Sequence, residues 1–128
     1  MAYEIKRFPY DGTVDADGHI LEPPDLWEQY LEQKYVDRAL RIGVDDDGYE
    51  YLEIDRTPSK RSRRGSLGLL GAMGSTDMRP RPDRRYADNM PFGSCDPAER
   101  LQLMAEENLE YCLLYPTIGL HWECELDD

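Results

Sequence analysis

No run of about 18 apolar residues occurs in this chain of 128, so nothing in it reads as a membrane-spanning helix. The opening MAYEIKRFPYDG lacks the apolar centre of a secretory signal, and the expectation is a cytoplasmic protein that meets no membrane. Cysteine is sparse. Cys95, Cys112 and Cys124 are odd in number and have no Cys-x-x-Cys spacing, which indicates neither a zinc ribbon nor a disulfide framework. They read as reduced thiols, with Cys112 a small core residue inside an apolar stretch. Histidine is scarcer still: His19 and His121 are the only two, too few for an imidazole-rich metal site. Positive charge is also short, 15 Lys and Arg against 27 acids, for a net charge of −12. What basic charge there is concentrates in residues 56–85, where nine Lys or Arg face two acids. No aromatic residue interleaves that segment, and the chain as a whole repels phosphate, so no nucleic-acid partner is expected.

Against those absences stands one dense polar stretch, VDADGHILEPPDLW at residues 14–27. Successive strand side chains point to opposite faces, so alternation would set Asp15, Asp17 and His19 on one face. Unpaired buried charge is costly, and a divalent metal ion is the simplest compensation. Carboxylate oxygen and imidazole nitrogen suit Zn, Fe or Mn better than a thiolate-type site does. An exposed polar loop ahead of a helix would use the same residues. The following EPPDLWEQYLEQKYV begins with proline and carries Trp27, Tyr30, Leu31 and Tyr35 at helical spacing, which predicts a helix.

VDADGHILEPPDLW resembles the first strand and loop of the metal-dependent amidohydrolases, in the branch of the aminocarboxymuconate-semialdehyde decarboxylase type. That family commonly opens with Asp-x-His-x-His. Asp15 matches the leading Asp, Asp17 stands where the first histidine is usual, and His19 matches the second. The exchange of nitrogen for oxygen at 17 is compatible with a harder metal such as Fe or Mn. Further along, CDPAERLQLMAEENLEYCLLYPTIGL is similar to the next unit of the same fold, a short helix leading into an apolar strand closed by Tyr-Pro-Thr. The local chemistry agrees. Asp96 is placed to cap the helix, Pro97 suits its first position, Glu99 would complete a capping box, and Leu101, Met104, Ala105 and Leu109 form one face. YCLLYP is nearly all apolar, as a strand of a parallel sheet covered on both faces should be.

A (β/α)8 barrel typically takes about 250 residues, and this chain has 128. The resemblance therefore implies an α/β chain that forms the N-terminal part of a (β/α)8 TIM-barrel amidohydrolase fold, with an inserted β-hairpin and a long loop, incomplete as a single chain. The organisation expected within residues 1–128 is a first strand and helix at 13–40, a β-hairpin insertion at 41–55, a basic loop at 56–95 containing Gly and Pro, and a helix, second strand and loop at 96–128. Asp-Gly at 47–48 gives the hairpin its turn, and the hairpin is expected to act as a lid or interface outside the barrel. The apolar LGLLGAM within the basic loop calls for a covering surface, and its arginines for carboxylates on this chain or a partner; a mobile surface loop is the alternative.

The metal ligands implied by the resemblance are Asp17 and His19, with no complete catalytic set in this chain. Asp15, Glu22 and His121 are candidates for contacts around the ligands or on substrate loops, while Glu22 as an acid at a helix start and His121 as an interface residue are the simpler readings. The implied function is a small subunit or N-terminal part of a metal-dependent hydrolase or non-oxidative decarboxylase acting on a small molecule, inactive alone and completed by a larger chain. A small subunit of a non-haem dimetal oxygenase, and a non-catalytic stabilising subunit, are the alternatives.

Overall fold

The computed structural model describes residues 5–72 and 75–125, without the side chains of residues 89 and 122–124. Two sheets organise them. Strands β1 (Thr13–His19) and β5 (Leu109–Tyr115) form a two-stranded parallel pair, and β2 (Arg41–Val44), β3 (Glu50–Ile54) and β4 (Thr57–Pro58) form a three-stranded antiparallel sheet. The helices are α1 (Leu26–Tyr30), α2 (Leu67–Leu70) and α3 (Pro97–Glu107). Alone among the three, α3 has more than two turns. It leads straight into β5, so β1, α3 and β5 make a strand, helix and parallel strand, the connection that parallel pairing requires.

The start and stop of α3 follow from its sequence. Asp96 caps it, accepting from Ala98 N at 2.7 Å and Glu99 N at 3.3 Å, and Pro97 fills the first turn, where a missing N–H costs nothing. Glu99 does not act within a capping box: its carboxylate accepts instead from Gly93 N at 3.0 Å, tying the preceding loop to the helix. At the other end Asn108 takes the left-handed conformation, φ 65°, and its Nδ2 donates to the carbonyls of Phe8 and Tyr10 at 3.3 and 2.8 Å. Arg7 adds a cation there, reaching Ala105 O at 3.2 Å. The expected apolar face is corrected too. Leu103 is the buried residue of α3, whereas Leu101 is 69% exposed, since no other described element packs on its side of the helix.

The first helix is shorter than the spacing of its aromatics predicts. It ends at Tyr30, Leu31 is extended with ψ 147°, and the chain resumes as a 3-10 turn over Gln33–Arg38. Long-range ties account for the break. Arg38 forks onto both carboxylate oxygens of Asp55 at 2.8 and 2.7 Å, and Arg41 reaches back to Glu28 at 2.5 Å and to Val36 O at 2.7 Å. Three contacts to the hairpin region outweigh the modest helical preference of this segment.

The hairpin forms at the Asp-Gly signal, with Gly48 at φ +87° and Oδ1 of Asp45 accepting from Asp47 N and Tyr49 N at 3.0 and 2.9 Å. A second reversal at Asp55 and Arg56, both with positive φ, adds the short β4. The hairpin is no peripheral lid. Alternate residues of β3 are buried, and Leu52 and Ile54 join Leu21, Leu40, Leu67, Tyr86 and Ile118 in the main core. The apolar centre of the basic segment is covered in the same way: Leu67 is 2% exposed within that core, so this chain itself supplies the covering surface. Residues 73–74 of that stretch lie outside the described residues. Five of its arginines are likewise paired internally, Arg64 with Asp45 and Asp47, Arg56 with Asp37, and Arg79, Arg81 and Arg84 with Asp77.

The parallel pair is left largely bare. Tyr111, Leu113, Leu114 and Tyr115 of β5 and Val14 of β1 are all exposed, although parallel strands are almost always covered on both faces.

Candidate functional site

The candidate stretch of the sequence lies on β1 and on the loops leaving β1 and β5. Parallel pairing brings these loops to the same end of the sheet, with Thr13 opposite Leu109 and His19 opposite Tyr115. Between those ends the ladder is irregular. Asp15 is opposite Cys112 and Gly18 opposite Leu114, so β1 carries one extra residue across 16–17, a bulge of the kind that re-aims side chains.

That bulge corrects the expected alternation. The Asp15 carboxylate accepts from the Cys112 thiol, with Oδ2 3.4 Å from Sγ, and from Asp17 N at 3.1 Å. A Cβ on Gly18 would lie 2.5 Å from Cys112 Sγ and 2.9 Å from Asp15 Oδ2, so Asp15 shares the side of Gly18, whose lack of a side chain makes room for it. His19 turns to different partners. Its Nδ1 is 3.2 Å from Thr117 Oγ1, and its ring lies 6.1 Å from that of Tyr115 at a 43° tilt. Asp17 and His19 are both exposed, open to any group beyond this chain. Arg100 of α3 holds the backbone beneath them, donating to His19 O at 2.6 Å.

Glu22 is 2% exposed and accepts backbone hydrogen bonds from Thr117 N at 3.0 Å, Ile118 N at 3.1 Å and Gly119 N at 2.9 Å. It is a buried clasp between the two loops, held by three backbone amides. Tyr86 closes the clasp from the core, its hydroxyl donating to Glu22 O at 2.9 Å, and burial together with the Glu22 charge pushes the Tyr86 phenol well above its ordinary range. Thr117 adds a third tie by donating to Ile20 O at 2.5 Å.

His121 begins no such network at β1. It lies on the 3-10 turn Gly119–Cys124, half-buried, with its N–H on Ile118 O at 3.0 Å. Its neighbour just after that turn is Glu125. Burial raises that carboxyl, but hydrogen bonds from Ser59 and from the backbone of Lys60 and Arg61, with His121 beside them, bring it below the ordinary range.

Burial, then the neighbouring Asp15 carboxylate, raises the Cys112 pKa; burial, then Asp96, raises that of Cys95. Both are free; the side chain of Cys124 lies outside the described residues.

Among the described residues no three His, Cys, Asp or Glu side chains converge as a ligand set. The donors on β1 nevertheless fit a hard or borderline divalent ion: one exposed carboxylate and one exposed imidazole, two positions apart at the end of a strand. Sequence reasoning missed Thr117, Tyr115, Arg100 and Tyr86. Thr117 and Tyr115 stood in plain sight within Tyr-Pro-Thr; Arg100 and Tyr86 carried no local signal, because their roles depend on contacts across the fold.

No family model matches this chain, and no curated protein matches it. Among solved structures it is similar to an amidohydrolase from Mycobacterium avium subsp. paratuberculosis K-10, with a TM-score of 0.56 at 22% identity. The likeness is one of fold alone. The match covers 85% of this chain and 31% of that one, so the chain spans about a third of the protein it resembles.

Proposed function

We propose that this chain supplies the first strand, helix and parallel strand of an amidohydrolase-type (β/α)8 barrel, and that Asp17 and His19 are its contribution to a divalent metal site completed by strands of a larger partner chain. The carrying observation is the parallel pair itself, whose apolar strands are uncovered and whose first strand carries Asp17 and His19, both exposed, near its C-terminal end. The likeness to 31% of an amidohydrolase supports the same reading. A barrel places its reactive groups at the C-terminal ends of its strands, which is where His19 and Thr117 lie.

When bound, the metal would act as a Lewis acid on water or substrate, serving hydrolysis or the non-oxidative loss of a carboxylate from a small acid. The residues of this chain do the positioning. Asp17 and His19 would hold the ion, Glu22 and Arg100 fix the backbone on either side of His19, and Tyr115 walls the imidazole. A non-catalytic stabilising subunit is the second reading, favoured by the lack of three convergent ligands among the described residues.

The test is elemental analysis of the intact assembly purified through this chain, beside Asp17→Ala and His19→Ala variants. Loss of metal and activity together in both variants is expected, because an ion deprived of an inner ligand is undercoordinated. Full metal occupancy in both would overturn the assignment and leave the stabilising role.

A further inference from the structure

His19 has two ring nitrogens, and the structure distinguishes them. Thr117 Oγ1 is 2.5 Å from the carbonyl oxygen of Ile20, which can only accept, so the hydroxyl proton is committed there. The same oxygen lies 3.2 Å from His19 Nδ1. With its proton spent, Oγ1 meets Nδ1 with a lone pair, and a bond forms only if Nδ1 carries the hydrogen. Thr117 cannot reverse these roles cheaply: turning its hydroxyl to His19 would strand the Ile20 carbonyl, whose hydrogen-bond partner it is.

We infer that Thr117 is a positioning residue that fixes the His19 imidazole with a proton on Nδ1, leaving Nε2 as the nitrogen that coordinates metal. Free imidazole side chains prefer the opposite tautomer, so the relay from Ile20 O through Thr117 to His19 does chemical selection as well as orientation. The ring of Tyr115 lies beside the imidazole, 6.1 Å away between centroids. The order is that of a histidine ligand whose other nitrogen is tied to a fixed acceptor. The coordinating role rests on the proposed metal site; the tautomer does not.

The experiment separates the two. The protein as isolated, with this chain alone labelled with 15N-histidine, is examined without metal by two-bond 1H–15N correlation in mildly alkaline solution, His121→Gln serving to assign His19. A pyrrole-like Nδ1 and pyridine-like Nε2 are expected for His19. Thr117→Val, which keeps the shape and removes the hydroxyl, should return the proton to Nε2, and Thr117→Ser should restore the original pattern. A pyridine-like Nδ1 in the unaltered protein overturns the inference without reference to any variant, and so does a Thr117→Val spectrum unchanged from it. Zinc titration then reads the role in coordination: Thr117→Val should weaken binding by about 10–100-fold, with Thr117→Ser close to the parent. An Nδ1–H tautomer in a protein that binds no zinc would refute the metal site and the coordinating role of Nε2 while leaving the relay intact; equal zinc affinity in Thr117→Val would refute the coordinating role alone.

Discussion

Oε1 of Glu22 lies 2.9 Å from the backbone nitrogen of Gly119, and the two residues are 97 positions apart in the chain. The loop after the first parallel strand is thereby clasped to the loop after the second. With Thr117 N and Ile118 N on the same carboxylate, the clasp satisfies amides at the start of a 3-10 turn that would otherwise have no partner.

Glu22→Gln should therefore destabilise the protein although it changes volume little. An amide has one oxygen for three backbone donors, and its NH2 group would confront an N–H, leaving at least one buried donor unsatisfied. The expected loss is about 1–3 kcal/mol in urea unfolding. An unfolding midpoint equal to that of the parent would mean that solvent already reaches these amides.

Gly18→Ala is expected to cost about 1–3 kcal/mol, as overpacking does, because the new methyl would lie 2.5 Å from Cys112 Sγ and 2.9 Å from Asp15 Oδ2. Cys112→Ala removes the nearer clash and should return part of the loss. A double-mutant cycle with no coupling between 18 and 112 would show that the bulge relaxes elsewhere.

How much of this was legible in the sequence depends on range. The Asp96 and Pro97 start of α3 and the Asp-Gly hairpin turn were readable because their partners lie within four residues. The bulge in β1 was not, since it depends on the register with Cys112 and Leu114, nearly a hundred residues away. For the same reason Asp15 departs from the alternation expected of it. Glu22 was visible as an acid near a helix start, but three amides of a distant loop decide its role. The hairpin was legible as structure and not as core, because burial of Leu52 and Ile54 comes from Leu67, Tyr86 and Ile118, which no local pattern links to them.

Glu50 gives a pH prediction. Burial raises its pKa above the ordinary glutamate value, and the hydrogen bond from Tyr86 N and the charge of Arg85 only partly offset this. The folded state thus holds its proton more tightly than the unfolded chain. This group's contribution is fully present below the unfolded pKa, about 4.3, and is lost as pH rises through the raised folded value. Glu50→Gln keeps an oxygen for Tyr86 N and removes the titration. Stability of the variant relative to the parent should rise with pH across that window; an unchanged difference between acid and neutral pH would place Glu50 in contact with solvent.

The exposed strand carries the last prediction. Tyr111 and Leu113 of β5 are 64% and 55% exposed, and Leu101 on α3 is 69% exposed. Apolar area so placed gains by leaving water, and the free edges of a two-stranded parallel sheet offer backbone donors and acceptors to another strand. Without the strands that would cover it, this chain should self-associate, its weight-average mass by sedimentation rising with concentration. Charging the face through Tyr111→Glu and Leu113→Lys should shift it toward monomer with little change in the unfolding midpoint, since neither side chain belongs to the buried core. The same pair should weaken association with a barrel-completing partner, because one face serves both contacts. A strictly monomeric chain over a wide concentration range, unaffected by these substitutions, would contradict both the open sheet and the barrel it is proposed to join.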